Sequence, residues 1–395
     1  MPQILFVDDE PNVLQGLQRM LRPMRQEWEM EFTNSGAKAL AKLSERPFDI
    51  VVSDMRMPRM DGNQLLTEVM QKHPQVVRII LSGHSDQEVI LKSVGIAHQY
   101  LSKPCDPEIL KTTVARAIAL RDLMANVLLK RLVSQMQSLP CLPSLYVELV
   151  DELGKPDPSI KVIGETISKD VAMTAKILQL VNSPFFGICK RVSSPAEATS
   201  LLGLDIVRSL VLSIHVFSQF NQASVPGMPL EKLWSHSLQV GQYAKQIARA
   251  ENQDRRIADD AFMAGVLHDT GKLILASNFS DWYNQAISLS KEKQESLAVL
   301  ETELFGTSHG EVGAYLLGLW GFSHPLIEAV AFHHHPSRSP DGGFSLLTAV
   351  HVANAFAHAD SSSDGLVHPS NSLDVEYIAN LNLTERIPCW REACQ

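Results

Sequence analysis

The sequence predicts an α/β domain on a five-stranded parallel sheet, then a long connecting helix, then an all-α domain. Three observations carry that fold class. Short apolar runs alternate with amphipathic stretches through residues 1–105 at intervals of roughly 20–25 residues, as right-handed strand–helix–strand crossovers require. No Gly or Pro interrupts Glu108 to Leu139, where Leu110, Val114, Ala117, Leu120, Met124, Leu128, Leu132 and Met136 recur every three or four positions. From Leu142 to about Asp360 the alternating pattern gives way to helical periodicity broken by Gly and Pro clusters.

Taken in order, the strands of the first part are Ile4–Val7, Trp28–Phe32, Phe48–Ser53, Val76–Leu81 and His98–Leu101, each a short apolar run bounded by polar or turn residues. Between them Val13–Met24, Ala37–Ser44, Gly62–Lys72 and Gln87–Val94 each form a helix with one apolar side. The long helix starts beside Pro104 and Pro107 and outruns what one small sheet can cover. Its second half either packs on the next domain as a linker or pairs with its copy in a homodimer. Further helices are expected at Ile160–Lys169, Val171–Val181, Pro195–Leu202, Ile206–Phe217, Leu233–Ala250, Ala258–His268, Glu311–Leu319 and Pro325–His333. The domain boundaries follow: 1–121 for the α/β domain, 122–139 for the linker helix and 140–395 for the helical domain. Trp234 and Trp320 are expected in the core, and Phe185-Phe186-Gly187 reads as a packed turn.

The 395 residues carry 35 Lys+Arg against 44 Asp+Glu, a net charge of -9, with 45% hydrophobic residues. That length suits two or three domains, and the composition excludes a disordered, collagenous or coiled-coil rod. Basic and acidic residues number 15 and 16 over 1–122, and 20 and 28 over the rest. Neither part has the excess that binds nucleic acid or an anionic membrane without specificity. Five scattered cysteines with no close pair argue against a disulfide framework and a Cys metal site. No run of 18 apolar residues occurs, and the opening MPQILFVDDE has no signal-peptide core, so a cytoplasmic protein without membrane contact is expected.

Ligands of parallel sheets bind beyond the carboxyl ends of the strands. After the first apolar run come Asp8 and Asp9, after the third Asp54, after the fourth Ser82, and after the fifth Lys103. Three carboxylates, a hydroxyl and a lysine therefore converge on one end of one sheet. Such carboxylates ionise together only beside a cation, and an all-oxygen set suits Mg²⁺. Asp54, opening the loop after the central strand, is the natural nucleophile toward a phosphoryl group. Asp8 and Asp9 are placed to hold the metal, with the Arg56 backbone carbonyl as a further ligand. Lys103 is placed to steady the transferring oxygens and Ser82 to donate to one of them.

The segments ILFVDDEPNV, VVSDMRMPRMDG, IILSG and YLSKP together resemble the receiver domain of bacterial two-component response regulators, over residues 3 to about 121. The resemblance implies a flavodoxin-like (βα)5 fold and phosphoryl transfer to Asp54 from a histidine kinase or phosphotransfer protein. It also implies a cis bond between Lys103 and Pro104, and a switch pair of Ser82 and Tyr100.

Eleven of the fourteen histidines lie at or after His215. Imidazole and carboxylate at helix ends can build a metal centre, and His268-Asp269 can grip one ion near a helix end. Lys272, one turn beyond His268, is placed to hold a phosphate oxygen. The segments LPSLYVELVDEL, ISKDVAMTAKILQLVNSPFFG, LLGLDIVRSLVLS, LWSHS, AGVLHDTGKL, SHGEVGAYLLGLW, AFHHHP and AVHVANAF resemble the HDOD family, an all-helical output domain related to the HD metal phosphohydrolases. By that resemblance the hydrolase ligands fall on His236, His268, Asp269, His309, His333 and His334. The aspartate expected next falls on Asn354. A neutral amide there makes a poorer ligand and removes one negative charge. His324, His351 and His358 read as ordinary core or surface histidines.

The expectation is a phosphorelay response regulator whose HDOD domain is regulatory, with a divalent ion or pair (Fe, Mn, Zn or Ni) as its candidate cofactor and a downstream protein as its partner. The rival reading is a receiver-gated metal phosphohydrolase acting on a phosphodiester or nucleotide. A DNA-binding regulator through Leu201–Asp205 lacks a basic recognition face, so no nucleic acid is expected.

Overall fold

The computed structural model describes residues 1–83, 96–119, 127–135, 140–141, 143–182, 191–204, 207, 218–219, 230–339, 343–361 and 373–395. Five strands, β1 (Gln3–Val7), β2 (Glu29–Thr33), β3 (Ile50–Asp54), β4 (Val77–Gly83) and β5 (Gln99–Lys103), form one parallel sheet in the order β2-β1-β3-β4-β5. The flavodoxin-like class expected from the sequence is the one observed. Register decides where the polar residues end up. Val7 pairs with Ser53, Asp54 with Leu81 and Gly83 with Lys103, so Asp8, Asp54, Ser82 and Lys103 all stand at the carboxyl edge.

Helices α1 (Pro11–Met20), α2 (Gly36–Glu45), α3 (Gly62–Lys72) and α4 (Pro107–Ala119) flank the sheet. The first is shorter than the expected Val13–Met24. Pro23 has no N–H to give the Arg19 carbonyl, and the chain tightens into a 3₁₀ turn over Arg22–Gln26. The expected helix Gln87–Val94 lies outside the described residues. On one face of the sheet Leu5, Val7, Val51 and Ile80 pack with Ala39, Leu43, Leu65 and Val69. On the other, Ile4, Phe6, Val52, Ile79 and Leu101 pack with Leu110 and Val114, and this apolar cluster runs on through Leu129 and Val133 into the helical part. The two parts thus share a continuous core.

The expected long helix is present as α4 and as α5 (Val127–Gln135); its continuity through 120–126 lies outside the described residues. Then follow α6 (Pro143–Leu153), α7 (Ile160–Ser168), α8 (Val171–Val181), α9 (Pro195–Leu202), α10 (Leu230–Ala250), α11 (Arg255–Leu267), α12 (Thr270–Asn278) and α13 (Ser280–Lys293). The rest are α14 (Leu297–Phe305), α15 (His309–Leu319), α16 (His324–Phe332), α17 (Leu346–Ser361), α18 (Val375–Asn380) and α19 (Ile387–Ala393). The helical character holds, with one addition: Pro140–Cys141 pairs in parallel with Ser218–Gln219, too short a ladder to leave a periodic signal. The helix expected at Ile206–Phe217, apart from Val207, and the turn at Phe185–Gly187 fall outside the described residues. Trp234 and Trp320 are buried. Among the described residues no helix is long and apolar enough to cross a membrane.

Candidate functional sites

The carboxyl edge of the sheet gathers the first constellation. Asp8 and Asp54 are buried and Asp9 half-buried, and one oxygen from each lies within 4.8 Å of the others. The Lys103 Nζ donates to Asp8 Oδ2 at 2.6 Å and to Asp54 Oδ1. The Arg56 backbone N–H donates to Asp54 Oδ2 at 3.0 Å, and the Glu10 N–H to Asp8 Oδ1 at 3.0 Å. Burial pushes the Asp54 carboxyl above its ordinary value, Lys103 pulls it back, and the neighbouring Asp8 pushes it up again. Gly62 sets the floor of the loop: a Cβ there would stand 2.2 Å from the Asp54 carbonyl oxygen. The Lys103–Pro104 peptide is cis, as expected. Ser82 is fully buried, and Tyr100 is buried with its hydroxyl 3.5 Å from the Ala97 carbonyl.

The second constellation forms where four helix ends meet. His268 closes α11, Asp269 opens α12, His309 opens α15 and His333 closes α16, while His236 comes from α10 and Asn354 from α17. Glycines bring these elements together. A Cβ on Gly271 would stand 1.8 Å from the His309 carbonyl oxygen, and one on Gly265 would stand 2.7 Å from the Gly241 Cα. The ligating atoms of Asp269, His309, His333 and His334 lie within 4.8 Å of one another, as do those of His236, His268 and Asp269. Asp269 therefore belongs to both groups.

Hydrogen bonds fix how the imidazoles point. His268 Nδ1 faces the Gly265 carbonyl at 2.6 Å and His333 Nδ1 the Val330 carbonyl at 2.8 Å. Each Nδ1 therefore carries the proton and each Nε2 keeps a bare lone pair. The Nε2 atoms of His268 and His333, and Asp269 Oδ1, are buried with no hydrogen-bond partner. Burial holds His268 down to about 3 and keeps His333 and His334 well below the usual histidine range. For Asp269 burial pushes upward, but His268, Lys272 and His309 outweigh it and hold the carboxyl well below its ordinary value. The neutral imidazoles of His268, His333 and His334 beside an ionised carboxylate fit a divalent ion, and this region can hold one.

Two residues of this centre escaped the sequence reading. Glu301, fully buried, accepts from the His309 backbone N–H at 2.7 Å and from His309 Nδ1 at 2.6 Å. No fixed spacing announces such an orienting carboxylate. His358, read as ordinary, has its ring 4.5 Å from that of His236; lying one helical turn beyond Asn354 on α17 was the available signal. Lys272 Nζ donates to Asp269 Oδ2 at 2.7 Å, so here its partner is the shared carboxylate. His236 Nε2 lies 3.0 Å from Asn354 Oδ1. His351 is structural: its Nδ1 donates to the His333 carbonyl and its Nε2 accepts from the Asp374 N–H.

A buried polar joint links the two parts. The Arg78 guanidinium donates to the carbonyls of Ile96 at 2.6 Å, Val76 at 3.2 Å and Ser134 at 2.6 Å. His98 Nδ1 accepts the Arg78 backbone N–H, so its Nε2 donates to the Ser134 carbonyl at 3.0 Å. Gln179 Nε2 donates to the His98 carbonyl at 3.2 Å, and the Ser134 hydroxyl meets Tyr315 Oη at 3.5 Å. Burial lowers Arg78 to about 9 and keeps His98 neutral.

Comparison with known proteins adds family information. A family model for the response regulator receiver domain matches residues 4–115, and one for the HDOD domain matches residues 139–336. An uncharacterized protein of Treponema pallidum (strain Nichols) is 27% identical over 246 residues, 61% of this chain and 47% of its own. The hydrogenase transcriptional regulatory protein HoxA of Cupriavidus necator is 34% identical over 125 residues, 31% of this chain and 25% of its own. The chain thus spans about half or less of the curated relatives it matches. Among solved structures, the MmoQ response regulator from Methylococcus capsulatus is similar at 24% identity and a TM-score of 0.47, covering 62% of this chain and 98% of its own. The signal receiver domain of an HD domain-containing protein from Pseudomonas fluorescens Pf-5 is 36% identical, with a TM-score of 0.29 over 30% of this chain and 94% of its own.

Proposed function

This chain belongs to the HDOD domain family and carries a response regulator receiver domain ahead of that domain, and from this premise we propose that it is a phosphorelay regulator in which Asp54 accepts a phosphoryl group and the HDOD domain passes the signal to a partner protein. The observation that carries the reading is the Lys103 ammonium held between Asp8 and Asp54 at the sheet's carboxyl edge. The donor is a histidine kinase or phosphotransfer protein. Asp8, Asp9 and Asp54, with the Arg56 carbonyl, would hold Mg²⁺, which would supply positive charge beside the carboxylate and the phosphoryl oxygens. Lys103 orients Asp54 and neutralises the oxygens. Ser82 donates to a phosphoryl oxygen, and Tyr100 follows on the neighbouring strand.

Tyr100 lies two residues beyond His98, which is bonded to Ser134 of α5 and Gln179 of α8. A change at Ser82 and Tyr100 therefore has a short path into the output helices. This is a shift between two packings of one joint. Hydrogen exchange over Val127–Gln135 should change on phosphorylation, and unchanged exchange there would remove the joint from the account.

In the HDOD centre His236, His268, Asp269, His309, His333 and His334 would hold a divalent ion, which supplies Lewis acidity when bound. A metal-holding, non-hydrolytic centre is favoured by Asn354, which puts a neutral amide against His236, and by the full burial of His268, Asp269, His309 and His333. Hydrolysis remains the second reading because Asp269 is shared between two groups of ligating atoms. A screen of cyclic dinucleotides and generic phosphodiesters separates them: turnover that disappears in Asp269→Ala would establish the enzyme and overturn the regulatory reading.

A further inference from the structure

We propose that the cleft between the receiver and the output helices is a binding site for a small organic phosphomonoester of about mononucleotide size, held by Arg116, Arg191 and Arg256 at its phosphate and by Gln99, Gln179 and Ser323 along the rest of the molecule. The cleft has a volume of about 420 Å³ and is lined by residues of both parts. That size lies within the range of ligand pockets, roughly 300–1,000 Å³.

Its charge is unbalanced. Arg116 comes from the last turn of α4, Arg256 from the first turn of α11, and Arg191 from the segment before α9. Among the described residues only Arg191 of the three has an ion pair, with Asp260 at 3.9 Å, and that carboxylate also accepts from Ser193. Arg116 and Arg256 have no ion pair among the described residues. Burial lowers the Arg191 pKa, and the charges of Arg256 and Arg116 push it the same way against Asp260. Three guanidinium groups converging from three segments repel one another unless an anion joins them, and their planar forks match phosphate oxygens.

The rest of the wall is polar and unfinished. Gln99 Nε2, Gln179 Oε1 and Ser323 Oγ all belong to residues lining the cleft, and all three atoms are buried with no hydrogen-bond partner. Gln99 is 8% exposed and Gln179 4%. Leaving such atoms unmatched costs stability, so side-chain turns that present them to a ligand offering hydroxyl, amide or base-edge groups are favoured on binding. Tyr100 borders the same space, so an occupant touches the strand that leads to the phosphoacceptor edge.

The test is calorimetric titration of the full chain with adenosine and guanosine monophosphates, glucose 6-phosphate, inorganic phosphate, and unphosphorylated adenosine and glucose. Asp54→Ala is titrated in parallel, so that phosphate held at the receiver edge is not counted. At least one organic phosphate should bind in both chains, tighter than inorganic phosphate, and the unphosphorylated compounds should not bind. Arg116→Met and Arg256→Met, at exposed positions where folding is not at stake, should each weaken binding by about tenfold to a hundredfold. Gln99→Leu should weaken the organic phosphates and leave inorganic phosphate unchanged. Nucleotide or sugar phosphate as the tighter ligand decides the organic part. No binding by any organic phosphate, inorganic phosphate binding equally well, or affinity unchanged in both arginine variants would each overturn the proposal.

Discussion

Replacing Lys103 with Met removes the one cation paired with Asp8 and Asp54 among the described residues. Breaking a buried ion pair by deleting one partner costs about 3–5 kcal/mol, because the other charge stays buried. Here the lysine side chain is 25% exposed while those of Asp8 and Asp54 are 1% and 10% exposed, so water offsets part of the loss. About 2–4 kcal/mol of receiver stability should go. The pH dependence has a definite sign. A carboxyl raised above its ordinary value keeps its proton longer when folded, so stability falls as pH rises from about 3.8 to the folded value and is level above it. Burial raises Asp54, and removing Lys103 takes away its largest opposing influence, so the window widens upward. The deficit of the variant should be full at neutral pH and should shrink as pH falls toward about 4. Added Mg²⁺ should shrink it as well. Urea unfolding of fluorotryptophan-labelled chain, followed at Trp28 by fluorine NMR, reads the receiver alone, since the next tryptophan is Trp234. A deficit of the same size at both pH values, with and without Mg²⁺, would refute the reasoning.

Three other perturbations follow from the same contacts. Glu301→Gln should weaken metal binding in the HDOD centre by about 10–100-fold, since it loosens His309, and Asp269→Asn should abolish it; metal content unchanged in both would remove the centre from the account. Lys176 is buried beside the Trp320 ring, and burial lowers its ammonium to about 7. The folded chain sheds that proton before the unfolded one, so its stability is full above about 10.5 and declines as pH falls toward 7. Lys176→Met should therefore gain about 3 kcal/mol at neutral pH, after allowing for the lost ring contact, and almost nothing near pH 10.5; thermal unfolding at the two pH values reads the difference. Arg78→Met should cost about 2–4 kcal/mol by orphaning the carbonyls of Ile96 and Val76 and leaving that of Ser134 to His98 alone, and should speed hydrogen exchange in Val127–Gln135; exchange as in the wild type would mean the joint is held elsewhere.

Much of the sheet edge was legible beforehand because a parallel sheet puts its strand ends together, so Asp8, Asp54, Ser82 and Lys103 needed only the right strand list. The histidine cluster was legible through segment order and not through spacing, since His236, His268, His309 and His333 come from separate helices that only packing brings together. Glu301 was invisible because an orienting carboxylate obeys no sequence spacing. His358 was passed over because a lone histidine on an apolar helix is usually core. Arg78 and His98 fall inside the expected strands Val76–Leu81 and His98–Leu101 with no role assigned by pattern, and only the packed carbonyl of Ser134 gives them one. Pro23 was in plain sight, yet the expected helix ran past it to Met24 where the α-helix stops at Met20.

The central claim is covalent storage of phosphate at the sheet edge, and intact-mass analysis of the full chain after treatment with acetyl phosphate and Mg²⁺ tests it most directly. One base-labile phosphoryl group per chain is expected in the wild type and none in Asp54→Ala. Equal uptake by the variant, or no uptake by the folded wild type, would contradict the account.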